Sequence, residues 1–255
     1  MSVIKKLSFE NLLINEVCSI CSYPEETQDK IIHTLLGLEG LREGNHLKIV
    51  LLPMGFMYKE IIQNLGSIED LSIEESQGFF KCARIRTKDS EDDVLVCKPD
   101  QGSAVLGVLS ALAAFKKTKE VEFIGLAGAI NKNLMLGQVI EVTTIMSDQG
   151  PHDITSIPTG KVVVQMVNSM IQTVEYYQGL LAKGVDIVEM ESSYVLALAI
   201  FKDIPLSLRM IISDTIFDTP FWKIKFGDNH SQLVNEGIKS CVNDTIQKIK
   251  ELLIK

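Results

Sequence analysis

Short runs of branched apolar residues, bounded by glycine, proline or acidic turns, alternate along this chain with longer stretches of helical spacing. Leu47 to Leu52, between Gly44-Asn45 and Pro53, reads as a buried strand. Phe79 to Thr87 and Asp93 to Cys97 read as two more, separated by an acidic, turn-like stretch that begins at Lys88. Ser103 to Phe115 is dense in alanine and leucine and predicts a buried helix. Glu120 to Ile124 predicts a strand ending at Gly125, and Val139 to Thr144 another after Gly137. Gln165 to Ala182 and Ser192 to Phe201 predict helices, and Leu206 to Ile212 a central strand. In the tail, Val234, Ile238, Val242, Ile246, Ile249 and Leu253 recur at spacings of three and four, which predicts an amphipathic closing helix from Ser231 to Ile254. Residues 1–45 predict a helical N-terminal extension in which Thr27 to Leu36 runs into Gly37, and residues 46–255 predict one α/β domain.

Strands alternating with helices imply a mostly parallel sheet covered on both faces. Ligands of such sheets bind outside the carboxyl ends of the strands. Four segments occupy that position: Pro53-Met54-Gly55, Gln101-Gly102-Ser103, Gly125 to Ala129, and Ser213-Asp214-Thr215.

Composition narrows the function classes. The 255 residues are 46% hydrophobic and 23% charged, which excludes a disordered chain. A formal charge of -8 gives no support to a nucleic-acid partner, and Lys116-Lys117 reads as solvated surface. The best apolar run, Ala104 to Phe115, is short of the roughly 18 residues a membrane span needs. The expected setting is cytoplasmic, with no membrane partner. Five cysteines fit a reducing compartment. Cys18 and Cys21 have redox or zinc spacing, yet no second Cys/His pair stands near them, so two ordinary thiols and no metal are expected. His33 lies within the helical extension and reads as a packed or surface histidine.

Three carboxylates carry the chemical signal. Glu189 and Glu191 enter the start of an otherwise apolar helix, where burial is costly without a partner. Glu189 reads as an acidic N-terminal turn that gains from the helix dipole. Glu191, beside Ser192 and Ser193, reads as a ligand group, because a fixed carboxylate accepts both protons of a vicinal diol such as that of ribose. Asp214 follows the apolar run Leu206 to Ile212 and Ser213. Desolvation there would raise its pKa and suit it to donate a proton, whereas the alternative is a simple helix N-cap.

In order and spacing, Phe123 to Ile130, Leu136 to Ile140, Val188 to Ser193, Ile204-Pro205-Leu206 and Ile211 to Thr215 resemble the nucleoside phosphorylase/nucleosidase superfamily: the purine nucleoside phosphorylases, the uridine phosphorylases and the methylthioadenosine/adenosylhomocysteine nucleosidases. The resemblance covers roughly residues 46–253. It implies a single α/β domain with a mixed, partly closed central sheet flanked by helices, no cofactor, a small-molecule nucleoside as partner, and a homodimer or higher homo-oligomer. It implies that Met190 packs on the sugar, that Glu191 holds its diol, and that Asp214, after Ser213, protonates a departing purine. Uridine phosphorylases lack that Ser-Asp pair, so a purine-type base is expected. Ala127 and Gly128 are implied to line the site.

The sequence also departs from that pattern. Met54 to Tyr58 replaces the arginine-bearing phosphate loop, Phe123 stands in place of a second arginine, and Leu126 in place of a threonine or serine. Losing both guanidinium groups argues against phosphate as nucleophile. Glu60 has the spacing of the nucleosidases' water-activating glutamate, or faces solvent on a helix. Ser103 binds sugar or nucleophile, or simply caps its helix. Met170 and Ile171 stand where the nucleosidases place an aromatic residue against the base. The expectation is cleavage of a purine-type N-glycosidic bond by water. The alternatives are a phosphorylase whose anion site uses Ser103, Arg84 or Arg86, and a nucleoside binder without turnover.

Overall fold

The computed structural model describes residues 9–147, 150–154, 161–169, 171–225 and 227–254. In chain order the strands are β1 Asn45–Leu51, β2 Leu71–Glu75, β3 Lys81–Thr87, β4 Asp92–Lys98, β5 Lys117–Thr118, β6 Val121–Ala129, β7 Val139–Glu141, β8 Thr144–Ser147, β9 Gly150–Asp153, β10 Val163–Met166, β11 Ile187–Glu189 and β12 Leu206–Thr215. The helices are α1 Phe9–Val17, α2 Glu25–Leu36, α3 Gly55–Gly66, α4 Leu106–Ala113, α5 Val174–Ala182, α6 Ser192–Lys202 and α7 Asn229–Leu253. All strands join one mixed sheet in the order β2-β3-β4-β1-β6-β11-β10-β8-β9, with β12 on the other edge of β6, β7 beyond β12, and β5 against β1.

The branching at β6 positions everything that follows. One edge of β6 is taken along its whole length by β12, in parallel from Leu206↔Val121 to Thr215↔Ala129. The other edge is shared. β1 runs parallel to its first part, ending at Leu51↔Phe123, and β11 runs antiparallel to its last part, with Val188↔Gly128 and Ile187↔Ala129. The carboxyl ends of β1 and β11 therefore approach each other over Ile124 to Ala127, which belong to neither pairing.

Helices cover both faces. α1, α2, α4 and α6 bury Leu13, Val17, Ile32, Leu36, Leu109 and Leu198 in the larger core, on the side of Phe123 and Leu208. The N-terminal helices are thus part of that core, α1 packing on α6 and α2 on α4. α3 and α7 bury Met57, Ile61, Leu65, Ile238, Val242 and Ile249 against Val50, Val96 and Ile211. The apolar stripe read in the tail is the face that α7 buries. Gly37, at φ 65, ends α2 as a left-handed cap whose amide donates to the His33 carbonyl at 2.7 Å.

Three expectations are corrected. Gln165 to Ala182 is not one helix: Val163–Met166 is β10, held between β8 and β11, and α5 starts only after Thr173, whose hydroxyl accepts the Tyr176 amide at 3.2 Å. The branched run at Val162 to Val164 favours the extended backbone. The predicted strand Val139 to Thr144 divides at Val142-Thr143 into β7 and β8, which pair with different partners. The strand predicted to end at Ile124 runs on to Ala129. Among the described residues no helix is long and apolar enough to cross a membrane, and no cluster of His, Cys, Asp or Glu is placed to hold a metal ion.

Candidate active site

The meeting of β1 and β11 over β6 leaves a cavity of about 320 Å³. Pro53 and Met54 close it from the end of β1, Gln101 from the end of β4, Leu126 from β6, Glu189, Met190 and Glu191 from the end of β11, Ser213 and Asp214 from β12, and Phe221 from the loop beyond. Apolar walls with a few converging polar groups are what small-ligand sites have in common.

The glutamates divide the work at the start of α6. Glu189 is 1% exposed, and its carboxylate accepts the Glu191 amide at 2.6 Å and the Ser192 amide at 2.9 and 3.0 Å. It satisfies the free donors of the first helical turn from within the chain just before it. That leaves Glu191 with a different task. Its Oε1 accepts the Gly102 amide at 2.5 Å, across from the β4 side of the cavity. Burial and the neighbouring Glu191 charge push the Glu189 carboxyl up to about 7, against the pull of its amide donors. Burial also raises Glu191, with the Gly102 amide opposing.

The pair carries a pH signature. A carboxyl raised in the folded chain binds a proton more tightly there than when unfolded, so its contribution weakens as pH rises from the unfolded value, 4.5, to about 7. Glu189→Gln removes one titrating member. The fall in thermal stability of wild type relative to that variant is expected to be confined to this window, and melting curves between pH 4 and 8 check it.

Gly102 is held at φ 62, and a Cβ there would stand 3.3 Å from Met190 Cε. Its left-handed backbone turns the amide toward Glu191. Gly102→Ala is expected to cost about 1–2 kcal/mol through backbone strain, visible as a drop of roughly 2–8 °C in Tm, and to loosen the Glu191 carboxylate.

Asp214 owes its place to a bulge. The register of β12 on β6 slips between Ile212↔Ala127 and Asp214↔Gly128, so Ser213 is the extra residue and the strand re-aims Asp214. Ser213 Oγ donates to Asp214 Oδ1 at 2.8 Å and lies 3.3 Å from the Ala127 carbonyl. Asp214 is 1% exposed, and its Oδ2 has no hydrogen-bond partner among the described residues. Burial raises its pKa, while Ser213 and the nearby Phe221 amide pull the other way. A carboxyl in the wall of a cavity, whose ionisation burial disfavours, is suited to donate a proton.

No protein-family model and no curated protein matches the sequence. Solved structures do. A Toxoplasma gondii purine nucleoside phosphorylase, in complex with immucillin-H, superposes with TM-score 0.66 at 13% identity, over 86% of this chain and 95% of that one. A Vibrio fischeri uridine phosphorylase gives 0.62 at 12%, over 80% and 91%, and an Arabidopsis thaliana 5'-methylthioadenosine nucleosidase 0.60 at 15%, over 80% and 97%. This is the nucleoside phosphorylase/nucleosidase fold.

Within that fold, the residues singled out from the sequence separate into two groups. Glu189, Met190, Glu191, Ser213 and Asp214 line one cavity. Ala127 and Gly128, expected to line the site, are not among its lining residues: the Ala127 carbonyl accepts the Ser213 hydroxyl, and Gly128 pairs with Val188 and Asp214. Glu60 does not line it. α3 buries Met57, Tyr58, Ile61, Ile62 and Leu65, and Glu60 falls on the opposite face with Phe56 and Asn64. Ser103 is exposed and does not line the cavity, whereas Gln101 does and the Gly102 amide reaches Glu191. Ile171 is 70% exposed, and Met170 lies outside the described residues.

The alternative anion site does not assemble either. Arg84, on β3, is engaged by Glu74 of β2 and Asp93 of β4, Arg86 is exposed, and neither lines the cavity. No lysine or arginine does, among the described residues. Phe123, in place of an arginine, is fully buried in the core. The sequence placed Pro53, Met54, Gln101, Gly102 and Leu126 in strand-end segments without giving them a role, and it missed Phe221 as a lining group. The only signal for Phe221 was an aromatic pair, Phe221-Trp222, soon after the Ser213-Asp214 strand end.

Proposed function

We propose that this chain hydrolyses the N-glycosidic bond of a purine-type nucleoside. Asp214 is the general acid, Glu191 binds the ribose diol, Met190 packs on the sugar, and Glu189 holds Glu191 in place. The observation that carries the reading is buried Asp214, whose Oδ2 has no hydrogen-bond partner, in the wall of a cavity that Glu191 also lines and that no lysine or arginine among the described residues lines. Protonating the leaving base lowers the barrier as the sugar acquires oxocarbenium character, a change that Glu191 beside the ring favours electrostatically. A phosphate dianion would enter against buried carboxylates with no positive partner, which favours water as the nucleophile.

The test is release of free base from a panel of purine nucleosides with and without phosphate. Phosphate-independent release with free ribose is the expected result. Strict dependence on phosphate, yielding ribose 1-phosphate, contradicts it. A second reading, nucleoside binding without turnover, is favoured by the position of Glu60 off the cavity, and predicts saturable binding with no base released.

A further inference from the structure

The cavity has one aromatic wall, and it comes from the same short segment as the proposed acid. Past Asp214 the chain makes a tight turn: the Thr215 amide donates to the Thr219 carbonyl at 3.0 Å, and the Thr219 amide returns to the Thr215 carbonyl at 2.8 Å. Ile216 is tied to β6 through the Ala129 carbonyl at 2.8 Å, and Pro220 is buried. A 3-10 turn, Phe221–Lys223, follows. Phe221 is therefore presented from a braced turn, with its amide beside the Asp214 carboxyl. Trp222 meets its ring edge-on, with centroids 5.1 Å apart at 82°.

Phe221 lines the cavity and yet remains 43% exposed. Among the described lining residues it alone has a π face. A half-exposed ring beside a buried proton donor matches a flat heterocycle whose edge meets the donor and whose face meets the ring. Resting on the proposed function, we infer that Phe221 is the specificity-determining residue for the base: the purine stacks on its ring while Asp214 reads the edge. The turn from Thr215 to Pro220 fixes the angle between the two, so recognition of the face and protonation of the edge are set by one element.

Equilibrium dialysis of free adenine tests this apart from turnover. Wild type binds adenine. Phe221→Leu, which keeps an apolar side chain without the π face, weakens binding about ten-fold or more, as loss of base stacking does. Phe221→Tyr stays within about three-fold of wild type. In the base-release assay Phe221→Leu raises KM more than it lowers kcat. Trp222→Phe, which alters a residue that does not line the cavity, leaves adenine affinity unchanged. Melting curves confirm that each variant is folded. Equal adenine affinity in wild type and Phe221→Leu overturns the inference, as does a Tyr variant as weak as the Leu variant. A wild type that binds intact nucleoside but no free base overturns it too. Adenine binding that depends on Phe221 in a protein releasing no base supports the stacking role while refuting hydrolysis.

Discussion

Asp214→Asn is expected to lower base release by about 10²–10⁴-fold, the range that a positioned general acid supplies. Asparagine keeps the size of the side chain and still accepts the Ser213 hydroxyl, so the cavity keeps its shape. What it lacks is an acidic proton. Nucleoside affinity should change little, because the loss falls on the transition state, and kcat should take most of the effect. The same substitution has an opposite effect on stability. In the folded chain burial raises the Asp214 pKa above its ordinary value of 3.8, so the wild type loses stability as pH rises through and beyond that value. The variant has no such loss. Its Tm should match or exceed that of wild type at pH 8, and the difference should shrink toward pH 4. Undiminished base release from Asp214→Asn would remove Asp214 from the acid role.

The second large effect is expected at Glu191. A carboxylate that accepts two hydroxyl protons makes two charge-assisted hydrogen bonds, each worth about 1.5–3 kcal/mol. Glu191→Gln retains one acceptor oxygen and turns the other into a donor that faces hydroxyls or the Gly102 amide. A fall of about 10–100-fold in kcat/KM is expected, corresponding to loss of one such bond. Ribonucleosides should suffer more than their 2'-deoxy counterparts, which offer the carboxylate only one hydroxyl. Steady-state kinetics on such a matched pair checks this. Equal losses for both sugars would mean that Glu191 acts on the fold of the cavity and not on the diol.

How much of this could be read from the sequence follows from the physics of each element. Leu47 to Leu52, Leu206 to Ile212 and the tail stripe were legible because burial imposes an apolar run or a regular spacing. β10 was not: its four residues lead into polar positions and Thr173, and a window across that boundary averages a strand with a helix. β11, three residues long, owes its form to pairing with β6 and β10 more than to its own preference. In the site, the carboxylates were legible because charge in an apolar context needs a reason. Gly102 acts through its backbone amide, which no side-chain inventory reveals. Phe221 is half exposed in a loop, where an aromatic residue reads as surface. Glu60 had the right spacing from Met57, but the helical period of α3 assigns it to the outer face, and that period was already visible in Met57, Tyr58, Ile61 and Leu65.

The seam where β1 and β11 meet over β6 also has a temporal consequence. Its walls come from Pro53, Gln101, Leu126, Met190 and Asp214, and no single stretch of chain contains two opposite walls. During synthesis the earlier strands can pair among themselves, but until β12 and the turn at Phe221 have left the ribosome, the pocket lacks both Asp214 and its aromatic face. The complete pocket is thus a late product of folding, and binding of a probe to it would report the last stage.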